Sequence, residues 1–144
     1  MSTAGAVITA VVFVWLGMVV AISFVEAPLK FRAPGVSVAI GLGIGRLVFR
    51  ALNSVEILLA GVVVAALVID PPARASVVAV AVAVAMLLAQ LVFVRPRLTR
   101  RSNAVLAGDD APRSHAHYAY VGLETVKVAA LLTGGIVVLA GAVG

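Results

Sequence analysis

Two glutamates, Glu56 and Glu124, sit inside apolar runs of this chain, 68 residues apart. A charge in the middle of a bilayer costs on the order of 3 kcal/mol on insertion scales, and less nearer the interface. Side chains placed there face a protein interior and need partners. Two carboxylates brought close together cannot both ionise freely, so they share a proton. That is the chemistry of a proton-titrating or cation-binding pair. The other reading is an interhelical hydrogen bond or salt bridge that fixes packing. Lys127 follows Glu124 by three residues, on the same helix face. It serves either as an intrahelical ion-pair partner or as a counter-ion that an arriving proton would release. Asn53, three residues before Glu56, is placed to donate a hydrogen bond to it. A further pair, Glu26 and Arg95, stands just before Pro28 and Pro96, where a salt bridge at one end of the bundle competes with solvation of Glu26 and snorkelling of Arg95.

Other chemistries find no support. Cysteine is absent, which excludes disulfides, thiolate metal sites and cysteine nucleophiles. His115 and His117 are spaced to fall on opposite sides of a helix and read as solvated loop residues, because haem or metal binding within a bundle needs ligands on facing helices. Trp15, Tyr118 and Tyr120 read as ordinary membrane aromatics, the tyrosines at an interfacial belt. No catalytic triad, phosphate loop or metal-ligand set can be assembled, so neither an enzyme nor a cofactor is expected.

Composition names the elements that must position these groups. Of 144 residues, 63% are apolar and 12% charged, and the mean hydropathy is +1.20. Too few polar residues remain to coat a soluble domain. The apolar residues form runs long enough to span a bilayer: about Ala4 to Val25, Ala51 to Ile69, Ala75 to Val94, and Tyr118 to about Ala140. The first is read as a retained helix, since its start carries no charge and no cleavage site follows. Asp70-Pro71-Pro72 ends the second, and Arg95-Pro96-Arg97 is expected to stop the third. Gly134-Gly135 marks a soft point in the fourth. Val-Ala alternation from Val77 to Val84 looks strand-like, but an open strand leaves backbone groups unsatisfied in lipid. Residues 1–144 therefore read as a single integral membrane domain, an all-α four-helix transmembrane bundle.

The basic residues orient it. Lys30, Arg32, Arg46 and Arg50 lie between the first two helices, and Arg95, Arg97, Arg100, Arg101 and Arg113 between the last two, against Arg74 alone on the other side. The positive-inside rule places both loops in the cytoplasm and both termini outside, in the cell membrane. The net charge of +5 is then membrane grammar rather than a nucleic-acid footprint. The stretch 36–50 either lies as an interfacial helix or extends the second helix into the cytoplasm; the interfacial form is preferred, because its counterpart, Ala104 to His117, is polar and carries Asp109, Asp110 and Pro112.

The offset that relates the glutamates also relates Pro28 to Pro96 and Arg32 to Arg100, without a gap. Each half reads as helix, basic loop, helix, so the chain is expected to be a parallel two-hairpin repeat, with halves of about 4–69 and 75–141 and an axis along the membrane normal. The segment Ala27-Pro28-Leu29-Lys30-Phe31-Arg32, followed by Arg46 through Glu56, resembles short bacterial four-helix membrane proteins of unknown function, which are loosely similar to eukaryotic transmembrane protein 205. The resemblance implies a multi-pass membrane protein and carries over no functional residue. Two functions are expected. One is a non-enzymatic assembly or accessory subunit forming a homo-oligomer or larger membrane complex through small-residue faces (Gly17, Ala21, Gly61, Ala65, Ala66). The other is a small transporter or channel subunit that uses Glu56 and Glu124 for a proton or cation.

Overall fold

The computed structural model describes residues 1–109 and 115–144; Asp110, Pro112 and Arg113 of the second basic loop lie outside them. Among the described residues there is no strand. Four helices carry the fold: α1 (Thr3–Arg32), α2 (Val38–Ile69), α3 (Arg74–Leu106) and α4 (His115–Val143). All four are long and apolar enough to cross a membrane, at 29 to 33 residues each. At ~1.5 Å per residue they reach about 44–50 Å, beyond a hydrocarbon core of ~30 Å. The excess carries the charges, so one end of the bundle is basic while the other holds the chain termini.

Local chemistry sets the helix ends. Ser2 caps α1 by accepting the Gly5 amide at 3.0 Å, and Ser37 caps α2 by accepting the Ile40 amide at 3.2 Å. Gly35, at φ +81°, makes the turn between them. Asp70 and the two prolines end α2 as expected. Gly108, at φ +93°, ends α3, with the Gly108 amide donating to Val105 O and the Asp109 amide to Ala104 O. This is a Schellman closure.

Three expectations about these boundaries are corrected. Residues 38–50 do not lie along the interface; α2 runs without a break from Val38 to Ile69. An apolar stretch that follows a serine cap has no reason to stop before the next apolar stretch. Neither Pro28 nor Pro96 stops its helix. In α1 the segment Val20–Glu26 is π-helical, and in α3 so is Gln90–Val94. The Ala27 amide reaches back to Ile22 O, and the Arg95 amide to Gln90 O, each one residue before a proline. A proline ring clashes with the carbonyl four residues back in an α-helix; the wider π turn makes room for it. Finally, Gly134 and Gly135 are packing points rather than a soft point. Both are buried within a continuous α4, and a Cβ on Gly135 would meet the Phe13 ring at 2.8 Å.

Consecutive helices run antiparallel. α1 packs along both α2 and α4, and α4 packs most closely along the first half of α3. There Ser76 Oγ donates to Gly134 O at 2.9 Å, a close approach that a residue without a side chain permits. α2 meets α3 chiefly at the basic end. The terminal half of the bundle is a dry core built around Ile8, Val12, Val63, Val80, Leu131 and Val138. A smaller cluster of Val94, Ala116 and Tyr120, flanked by Phe49 and Leu98, lies toward the basic end.

Candidate functional site

Between these two apolar layers lies a cluster of polar side chains contributed by all four helices, its ionisable members coming from α2 and α4. Glu56 comes from the middle of α2, about 27 Å along its axis, far deeper than an α2 starting near Arg50 would put it. Glu124 and Lys127 come from one face of α4. All three are buried, at 0%, 1% and 0% exposure. Lys127 Nζ lies 2.5 Å from Glu56 Oε2 and 2.6 Å from Glu124 Oε1. One ammonium thus serves two carboxylates and places them at a common depth. The pair between Glu124 and Lys127 is the expected one along the helix; its extension across the bundle to Glu56 was not anticipated.

Uncharged groups complete the shell. The Trp15 indole N–H on α1 donates to Glu56 Oε2 at 2.8 Å. Ser23 Oγ, on the π turn of α1, donates to Glu124 Oε2 at 2.7 Å. Gln90, the first residue of the π turn of α3, accepts from Lys127 Nζ at 2.9 Å and donates to Glu124 Oε1 at 3.3 Å and to Tyr120 O at 3.4 Å. The π turns therefore do two things: they admit the prolines, and they carry polar side chains that reach the carboxylates.

The formal charges are unequal. With both carboxylates ionised the cluster carries −1, and a single added proton or monovalent cation makes it neutral. Glu124 has donors on both oxygens. Glu56 has donors on Oε2 alone; its Oε1 is buried with no hydrogen-bond partner.

Other expected site residues are placed differently. Asn53 is buried but donates nothing to Glu56, because the Glu56 carboxylate is drawn across the bundle to Trp15 and Lys127, away from its own helix. Glu26 and Arg95 do not pair. Glu26 lies 3.7 Å from Lys30, one turn along α1, and the Arg95 guanidinium stacks 5.4 Å over the Phe49 ring. Tyr120 does not sit in an interfacial belt; it is buried edge-on to Phe49. His115 and His117 belong to the first turn of α4 rather than to a loop. Ala66 faces the core, whereas Gly17, Ala21, Gly61 and Ala65 are exposed. Among the described residues, no three His, Asp or Glu side chains gather as metal ligands.

The cluster lies next to open space at the basic end. A cavity of about 390 Å³ opens among the basic ends of the four helices, and its lining includes Ser23 and Tyr120. Since Ser23 is itself bonded to Glu124, a single hydroxyl separates the cavity from the carboxylates. Toward the termini the cluster is backed by the apolar core. Searches of known protein families, curated proteins and solved structures find no match to this chain.

Proposed function

We propose that this protein is a small multi-pass membrane transporter or channel subunit in which the Glu56–Lys127–Glu124 cluster binds a proton or a monovalent cation taken up from the basic end. The observation that carries this reading is the unequal count: two fully buried carboxylates share one ammonium, and one carboxylate oxygen is left without a partner. Buried ion pairs are weak sources of stability, because desolvation offsets their attraction. Ionisable groups inside a membrane mark ion and proton pathways by default. A cavity lined in part by Ser23 adjoins the carboxylate that Ser23 bonds.

Under this reading the basic end is cytoplasmic and the termini are outside. The two hairpins are duplicated copies, a view supported by π turns that close before Pro28 and Pro96 at the same 68-residue offset as the glutamates. The likeness of residues 27–32 and 46–56 to bacterial four-helix membrane proteins belongs to the same reading.

The test is flux in liposomes holding a pH-sensitive dye, driven by proton, sodium or potassium gradients. Wild type conducts, while Glu56→Gln and Glu124→Gln lose flux yet elute in detergent like wild type. A wild type that passes no ion, together with glutamine variants that fail to fold, refutes the proposal and leaves the cluster as a packing device.

A second reading, that of an assembly or accessory subunit, draws on a different surface. Gly17 with Ala21, and Gly61 with Ala65, form exposed small-residue pairs, and a Cβ at either glycine meets nothing within 4 Å. Another transmembrane helix can approach closely there. The two readings are compatible, since four helices make a thin pore wall and transport favours a homo-oligomer.

A further inference from the structure

The cavity at the basic end has a chemistry of its own, separate from that of the buried cluster. Lys30, Arg46 and Arg95 line it, and no acidic side chain does among the described residues. The Ser102 hydroxyl also lines it without a hydrogen-bond partner, on a residue 7% exposed. A buried hydroxyl left unpaired costs roughly 1–3 kcal/mol, so it points to an acceptor bound in the cavity. The remaining wall is apolar, with Phe24, Phe31, Leu42 and Leu98 among its residues. The volume of about 390 Å³ lies within the ~300–1,000 Å³ range of small-molecule sites. These basic side chains suit the level of anionic headgroups.

We propose that this cavity is a binding site for a phosphate group carried on an apolar body. The phosphate oxygens accept from Arg46, Arg95 and Lys30 and from the Ser102 hydroxyl, while the apolar body lies against the phenylalanines. Arginine suits the role because its fixed fork of donors matches a phosphate. The site does not depend on any ion passing through the cluster, so a protein that conducts nothing can still hold the ligand.

Thermal unfolding of the protein in phosphatidylcholine nanodiscs tests it. In one arm phosphatidic acid is built into the disc; in the other a soluble short-chain alkyl phosphate is added to neutral discs. Saturable stabilisation in the first arm alone identifies a lipid headgroup, and in both arms a ligand that also enters from water. Stabilisation in neither arm overturns the proposal. Arg46→Gln is expected to weaken binding about tenfold, while Arg97→Gln, exposed and outside the cavity, leaves it unchanged. Equal loss in both variants means a diffuse basic surface and overturns the site. Ser102→Ala raises the Tm of the empty protein and lowers the stabilisation that the phosphate provides. An undiminished gain in this variant would contradict the assignment of the hydroxyl to the ligand.

Discussion

Lys127 has three oxygen partners and is fully buried. Attraction in a low-dielectric interior is strong, but so is the penalty for removing each charge from water. The cluster is therefore sensitive to losing a single member. Lys127→Met leaves two buried carboxylates facing each other and is expected to destabilise the fold by about 3–5 kcal/mol. Unfolding in mixed detergent micelles measures the loss. Trp15→Phe keeps most of the ring volume and removes only the indole donor at 2.8 Å from Glu56. It is expected to cost less in the same assay, about 1–3 kcal/mol. Glu56, Glu124 and Lys127 stood out in the sequence because a charge in an apolar run has few explanations. Gln90, Ser23 and Trp15 did not, since a membrane helix tolerates each of them without a partner. Their role depends on which way the helices face, and a single hydrophobic run does not encode that. The pairing weighed for Glu26 with Arg95, against solvation and snorkelling, is absent for the same reason: spacing shows what is near along a helix, not what lies across from it.

Helix existence followed directly from hydropathy, whereas helix ends did not. Proline was read as a stop, and here it is accommodated by a π turn that widens the helix ahead of it. That device leaves no mark in composition. The nearest signal was the recurrence of a proline at one offset, which already set Pro28 and Pro96 apart from the terminating Pro71-Pro72. Contacts between helices divide in a similar way. Where α3 and α4 approach most closely, a Cβ on Gly134 would lie 3.3 Å from Val80 and 3.4 Å from Ala79. Gly134→Val is expected to force the two helices apart at a cost of about 1–3 kcal/mol. Ser76→Ala removes only the hydroxyl that bonds Gly134 O, and in a membrane such bonds average about 0.6 kcal/mol. Measured side by side in micelles, the glycine substitution should prove the more damaging of the two.

The bundle as a whole is polarised. Its terminal half is a dry apolar core, its middle holds the charges, and its basic half encloses a cavity. The all-α bundle was legible from run length alone, but this layering was not, because it arises from residues far apart in sequence whose side chains meet at one height. Orientation can be tested cleanly, since the chain has no cysteine of its own. In intact cells, Ser2→Cys is expected to react with a membrane-impermeant maleimide, and Arg100→Cys only after lysis. The reverse pattern would overturn the assignment of the basic end to the cytoplasm. The single tryptophan of the chain has a further consequence. Its indole N–H bonds directly to a carboxylate that also holds the lysine, so the electric field at the ring changes whenever the charge on that carboxylate changes. The molecule therefore carries its own optical probe: the emission maximum and lifetime of Trp15 should follow occupancy of the cluster in real time, with no label attached.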